Sequence, residues 1–322
     1  MELTPDFSIS INGGENFPKD RVLSIRTTDE AGIVSDSCEI ELDDFDNALQ
    51  FPNTEAKVII FLGYKETELT KIGTYFVREI SIDGARHVVK IQGNAAPKSM
   101  RSQKTRSSEN PLSAFAQETA EDNGLELAIA DDFEDIDLTD APQFAESDMN
   151  YITRMSQKIG AVAKTVDGHL VVAHDNTGQS VSGQALPTKY LDASDVVSYA
   201  CNFKETESDG VTGTVYANWY DKNTGEYNLV HAGSGAPETE LNEIFATKEQ
   251  AEAAVRAKFK RITKLNKTLR FSVEGRPDLF AESPLVLRGF PSKIPTNWII
   301  SRVEHSLSSS GFSTNVDCVG GN

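Results

Sequence analysis

Five histidines, a Gly-Ser loop, an acidic run and a basic cluster are the places where this chain of 322 residues could do chemistry. The histidines are His87, His169, His174, His231 and His305. His169 and His174 stand five apart in a segment that reads as a strand, so they face opposite sides and cannot share a metal without a bend. His305, beside Glu304, has the residue type of a ligand or general base. The plainer reading is a hydrogen-bonded histidine that fixes a strand end. Ser234 lies in the segment from His231 to Pro237, between Gly233 and Gly235. The strand–turn–helix setting of a nucleophile elbow is missing there, so the segment reads as a flexible loop. The run from Asp131 to Asp137 offers oxygen ligands for calcium or a carboxylate pair for glycoside cleavage. It lacks the glycine and terminal glutamate of a calcium loop and reads as solvated acidic surface. Asp221-Lys-Asn-Thr-Gly225 resembles half of a calcium loop and reads as a hairpin turn. Cys38, Cys201 and Cys318 have neither metal-ligand spacing nor a disulfide pattern, and read as small buried hydrophobes. No catalytic set, metal site or cofactor site emerges, and the chain is not expected to be an enzyme.

Charge is sorted along the chain. The net charge is -18, with 39% hydrophobic and 25% charged residues. This composition suits a folded protein of two or three units. An acidic surface disfavours nucleic-acid binding, and no helix-turn-helix pattern suggests sequence reading. No stretch approaches the roughly 20 apolar residues of a membrane helix, and Met1-Glu-Leu-Thr-Pro5 lacks the start of a signal peptide. Neither membrane insertion nor export is expected, and assembly in the cytoplasm is the default. From Ser107 to Thr153 there is no Lys or Arg. Lys248, Arg256, Lys258, Lys260, Arg261, Lys264 and Lys267 instead cluster on and just after a helix expected at about 247–264. Arg256, Lys258, Lys260 and Arg261 are the candidate interaction surface. Their expected partner is an acidic surface, either the 107–153 block of a neighbouring copy or another protein.

The elements that must position these residues are mostly strands. Phe7, Ile9 and Ile11 alternate with polar neighbours, as do Cys38, Ile40 and Leu42. Lys57 to Leu62 is a continuous apolar run, which suits a strand covered on both faces. Two further strands, Gly73 to Ile82 and Val88 to Ile91, meet across Asp83-Gly84. Residues 1 to about 95 read as an antiparallel barrel or sandwich. A basic link, Lys98 to Ser108, leads to a helix that starts at Asn110-Pro111, buries Leu112, Phe115, Ala116 and Thr119, and ends at Gly124. Leu125 to Ile129 reads as a strand. A second helix starts near Ser147-Asp148, buries Met149, Ile152, Met155 and Ile159, and stops at Gly160. Two strands then pair across Asp167-Gly168. From about residue 186 strands return: Val196 to Phe203, Gly210 to Tyr220 and Glu226 to Val230. The helix capped by Thr247 and Gln250 follows. No sequence repeat is visible between the two β parts.

The C-terminal fifth carries the most specific pattern. It holds Gly275, Pro277 and Leu279, then Gly289-Phe290, then Trp298, Val303, His305 and Leu307, and closes with Gly311-Phe312 and Thr314. These residues resemble the phage late control gene D family, the hub proteins of contractile phage tails. Glu146-Ser147-Asp148 with Gly168 and Leu170 in the insert resemble it as well. The resemblance implies a mainly β fold: two antiparallel β-barrel domains of tail-hub type, 1–107 and 186–322, with a small α+β domain at 108–185. It implies a structural baseplate hub of the virion tail, a homotrimer whose alike barrels form a pseudo-sixfold ring. Such a ring joins a tail spike protein to tail tube or baseplate proteins. The named signature residues read as core and fold markers rather than contacts. The competing readings are a tail-associated peptidoglycan hydrolase and the hub portion of a type VI secretion-like or bacteriocin device. The chain stops soon after the signature, which favours a separate spike protein.

Overall fold

The computed structural model describes residues 3–14, 18–106, 111–138, 141–174, 177–203, 213–264 and 267–320. Asn110, expected to cap the first helix, lies outside them, as do Gly210, Val211 and Thr212 at the start of an expected strand. The first part holds β1 (Pro5–Ile11), β2 (Val22–Glu30), β3 (Ser37–Asp43), β4 (Lys57–Tyr64), β5 (Thr70–Asp83) and β6 (Val88–Asn94). The middle part holds β7 (Gln103–Arg106), α1 (Leu112–Asp122), β8 (Glu126–Ile129), β9 (Gln143–Ser147), α2 (Asp148–Lys158), β10 (Ala161–Val166) and β11 (His169–His174). The last begins with β12 (Lys189–Asp192), β13 (Val196–Phe203), β14 (Gly213–Asp221), β15 (Glu226–Ser234) and β16 (Glu238–Phe245). It ends with α3 (Lys248–Lys264), β17 (Lys267–Glu274), β18 (Pro284–Arg288), β19 (Asn297–Ser308) and β20 (Gly311–Val319).

The two expected barrels are one open sheet. Twelve strands run in the order β1-β4-β5-β6-β3-β2-β19-β20-β17-β13, with β18 on β19 and β12 on β18. β2 pairs with β19 from Ser24 opposite Ser308 to Glu30 opposite Arg302, so the halves join edge to edge. Among the described residues no pairing closes either half into a barrel. The last part is not purely antiparallel either, because β12 lies parallel to β18. β4 also departs from its expectation. Val58, Ile60 and Leu62 are buried while Ile59 and Phe61 are half-buried, so one face is fully covered and the other partly.

The expected helix of the second barrel belongs to a different layer. α3 packs on a separate sheet, β15-β14-β16, around Val215, Ala217, Val230, Phe245, Ala251 and Val255. Its start is the expected cap, with the Thr247 hydroxyl accepting from the Gln250 N–H at 3.3 Å. The middle part is α+β: α1 and α2 share a core with the β10-β11-β8 sheet. Pro111 sits at the N-cap of α1 rather than inside it. Asp167-Gly168 makes the expected tight turn, with both residues at positive φ.

The topology repeats where the sequence does not. The order β2-β3-β6-β5-β4 recurs as β13-β17-β20-β19-β18, with every pairing antiparallel. The bulges recur too. The β2·β3 register slips between Val22 and Ser24, and that of β13·β17 between Val196 and Ser198. The β5·β6 register slips between Val77 and Glu79, and that of β19·β20 between Ile300 and Arg302. Even the entry to β4 and β18 matches. Glu55 and Glu282 both take positive φ and donate backbone N–H to Val77 and Ile300, each at 2.8 Å. Bulges bend a strand at a fixed place, so two modules with matched bulges share one curvature.

The β19–β20 hairpin spans both halves of the sheet. Trp298, Ile300, Val303, Val316 and Cys318 pack with Phe271 and Leu287 in the last part. Leu307 and Phe312 pack with Ile25, Ile40 and Ile60 of the first. Gly275 makes this possible. Its N–H donates to the Phe312 carbonyl at 2.8 Å, its carbonyl accepts from the Tyr64 hydroxyl at 2.8 Å, and a Cβ there would stand 2.0 Å from the Phe312 ring. Gly275→Ala overpacks this contact and should cost about 1–3 kcal/mol. In urea the midpoint should fall with an unchanged slope; an unshifted midpoint would show that the ring moves freely and that the glycine is not required.

Candidate interaction surfaces and the junction that positions them

The signature residues occupy the interior and the turns. Leu279, Trp298, Val303, His305, Leu307, Phe312 and Thr314 are buried, and the Trp298 indole N–H donates to the Pro295 carbonyl at 2.8 Å. Gly289 and Gly311 take positive φ, where a side chain would be strained. Pro277 and Phe290 are half-buried, and Phe290 meets Tyr199 of β13 edge-on at 5.3 Å. His305 lies within β19 and not at a strand end. The Thr314 hydroxyl accepts from the Arg276 N–H at 2.9 Å and stands 3.0 Å from His305 Nδ1. The ring also meets the Leu279 backbone. Burial holds this imidazole down to about 4, against the opposing pull of Asp29. The ring is buried and held between Thr314 and the Leu279 backbone, which suits a structural role.

Three parts of the chain meet at Asp29, within the β2·β19 ladder. Its Oδ2 accepts from the Ala281 N–H at 2.8 Å, and its Oδ1 lies 3.4 Å from Lys164 Nζ. Lys164 reaches in from β10, donates to the Glu30 carbonyl at 2.6 Å and pairs with Asp36 at 3.0 Å. Asp36 Oδ1 also accepts from the Glu30 N–H at 3.2 Å. One ammonium thus serves two carboxylates. Burial and the Asp29 charge push Asp36 up to about 7, outweighing Lys164, while the same carboxylates hold Lys164 above its ordinary value despite burial.

A second buried ion network explains the basic link. Asp148 is fully buried at the start of α2 and accepts from Lys104 Nζ and Arg106 Nη2, each at 2.6 Å, and from Gln143 Nε2 at 3.0 Å. The link is therefore β7, which pairs with β9 of the middle part although it falls in the expected first unit. The abrupt change of sign at residue 107 was the sequence signal for this contact.

The candidate basic surface divides. Arg256 lies on the exposed side of α3, paired to Glu252 at 2.6 Å. The Arg261 side chain lies outside the described residues. Lys258 and Lys260 turn to a cleft of about 620 Å³ between α3 and α2, which Arg154 and Lys158 line from the other side. Glu243 pairs with Lys158, and Ala161, Val162, Phe245 and Ala254 are among the apolar lining. The cleft is cationic within an acidic protein.

The other chemical candidates stay apart. His169 meets Glu126, and His174 meets Asp132 from β11. Ser234 lies at the end of β15, paired with Gly213. The acidic run forms a short 3-10 turn with Phe133 buried. Among the described residues no cluster of His, Cys, Asp and Glu could hold a metal.

The family model and the phage relatives point to one family. The family model described as phage tail baseplate hub (GPD) matches residues 136–311. A probable baseplate hub protein of Escherichia phage 186 is 26% identical over 369 aligned positions, covering 98% of this chain and 92% of that protein. A tail protein of Neisseria meningitidis MC58 superposes with a TM-score of 0.67 at 11% identity, over 98% of this chain and 96% of that one. The E. coli c3393 protein is described as a type VI secretion component with structural similarity to the T4 tail proteins gp27 and gp5. It superposes with a TM-score of 0.58 at 10% identity, over 98% of this chain and 77% of that one. At such identities the superpositions show a shared fold.

His305 and Asp36 make folding depend on pH with opposite signs. The His305 value is lowered from 6.5 to about 4, so its contribution is present above pH 6.5 and lost as pH falls towards 4. The Asp36 value is raised from 3.8 to about 7, so its contribution is present near pH 4 and lost as pH rises to 7. The two offset each other between pH 4 and 6.5. Asp36→Asn should therefore lose melting temperature on acidification across this window more steeply than the wild type. His305→Gln should gain, whatever its absolute level. Parallel profiles for all three proteins would contradict these assignments.

Proposed function

This chain belongs to the phage tail baseplate hub (GPD) family, and on that premise we propose that it forms a homotrimeric ring joining the tail tube to the central spike. The observation that carries the ring reading is the topological repeat. Two like modules per chain give six in three copies, so a trimer can present a near-sixfold face to a tube and a threefold face to a spike. The virion tail baseplate is its site of action, and the host cytoplasm its site of assembly. The role is structural. The histidine of the C-terminal pattern is buried and held by Thr314 and the Leu279 backbone, and the candidate serine sits in a paired strand, which speaks against a hydrolase. A zymogram on cell-wall substrate should stay blank; a clearing zone from purified protein would reopen that reading.

The cationic cleft is the surface proposed for an acidic partner. Lys258 and Lys260 face it and Arg256 does not, which narrows the candidate set to the first two with Arg154 and Lys158 opposite. Complementary charge acts on encounter and specificity, so its effect is greatest at low salt. Lys258→Glu with Lys260→Glu should weaken capture of the chain by the other baseplate proteins at low salt. Arg256→Glu should have little effect. Equal capture of both variants would remove the cleft from the assembly.

Light scattering coupled to gel filtration should give a mass three times that of the chain. A particle of two or four copies would contradict the trimer.

A further inference from the structure

Among the described residues, two open edges of the large sheet have counterparts in the internal repeat that are paired, and the repeat shows what fits them. β5 corresponds to β19 and β13 to β2, by topology and by bulge position. β2 and β19 are joined to each other within the chain. Their counterparts β13 and β5 are not. β4 covers β5 only from Thr70 to Phe76. From Glu79 to Asp83, β5 has β6 on one side and, among the described residues, no strand on the other. Among the described residues β13 has β17 on one side and no strand on the other.

Exposure at matched positions differs in the sense a missing neighbour requires. Ile82 is 60% exposed, and its counterpart His305 is 1% exposed. Tyr199 is 45% exposed where its counterpart Ile25 is fully buried, and Phe203 is 53% exposed. β13 reads Val196-Val-Ser-Tyr-Ala-Cys-Asn-Phe203. It carries no charge and no proline, the devices by which free edges are normally protected from pairing. An unprotected apolar edge is a binding site for another strand.

We propose that β13 of one copy adds antiparallel to the Glu79–Asp83 edge of β5 in the next copy, in the register that β2 and β19 use within the chain. There, Val303, Glu304, His305 and Ser306 lie opposite Asp29, Thr28, Thr27 and Arg26. Counting from the bulge residues gives the match: Ile82 stands four beyond Arg78 as His305 stands four beyond Ser301, and Cys201 four beyond Val197 as Thr27 four beyond Leu23. The contact between copies therefore sets Ile80 opposite Phe203, Ser81 opposite Asn202, Ile82 opposite Cys201 and Asp83 opposite Ala200. It joins different surfaces of the two copies, so it propagates from copy to copy and closes a ring when the rotation allows. The register follows from the repeat alone; the number of copies rests on the ring reading above.

Native Cys201 supplies the test. Directly opposed residues in an antiparallel pair have Cα atoms about 4.5–5.5 Å apart, within the range a disulfide spans. Ile82 is exposed in the single copy, so Ile82→Cys leaves the core intact. Purified Ile82→Cys oxidised with copper-phenanthroline should give reductant-sensitive covalent multimers. The wild type and the double variant Ile82→Cys, Cys201→Ser should give none. Ser81→Cys is the register control, because its side chain points to the opposite face. If scattering shows an oligomer but Ile82→Cys does not cross-link, or Ser81→Cys cross-links as well, the proposed register is wrong and the ring reading stands. If the chain stays monomeric and no bond forms, both fall.

Discussion

The ladder between β2 and β19 is the constraint on which the rest of the molecule depends. It pairs strands from opposite ends of the chain, Ser24–Glu30 with Arg302–Ser308. Closing so long a loop costs chain entropy before any contact repays it. The repayment is concentrated beside the joint. At one end Lys164 clamps Asp29 and Asp36 and brings the middle part against the sheet. At the other, Phe312 crosses into the first core over Gly275, whose carbonyl accepts from the Tyr64 hydroxyl of β4. The C-terminal pattern is so distinctive because its residues serve both halves at once. Leu307 and Phe312 answer to one core, and Trp298, Val303 and Val316 to the other.

Local features were legible in the sequence because local chemistry decides them. Asp167-Gly168 fixes its own turn, Thr247 caps its own helix, and Ser147 accepts from the Asn150 N–H to start α2. Leu112, Phe115 and Ala116 line the buried side of α1 as their spacing requires. On α2 the spacing found Ile152 and Met155 but missed Tyr151 and Asp148, because a buried carboxylate needs Lys104 and Arg106 from a distant strand. The continuity of the sheet was also invisible. Alternation reports that a face is buried, not which strand lies alongside. The strands that flank α3 in sequence point to a barrel, yet the layer it covers is a separate sheet.

The repeat escaped the sequence for a related reason. Matched positions meet different surroundings, so their side chains diverged in type while the backbone kept its bulges. Ile82 and His305 occupy one position in the two modules, and so do Gly93 and Cys318. Cys38 packs against Gly93, where a Cβ would stand 3.1 Å from its sulfur. Backbone geometry is what a repeated architecture must preserve, and β-bulges with their fixed bends preserve it. Charge follows the same economy of placement. Lys104, Arg106 and Lys164 serve buried carboxylates, and Lys158, Lys258 and Lys260 line one cleft.

The central claim is that one kind of strand joint works twice, once within the chain and once between copies. Amide hydrogen exchange on the assembled protein tests it directly, because a paired edge is protected and an open edge is not. The account predicts that the amides of β13 and of Glu79–Asp83 that point away from β17 and β6 exchange slowly, as the β2·β19 amides do. Exchange of those amides as fast as in exposed loops, with β2·β19 protected in the same sample, would contradict it.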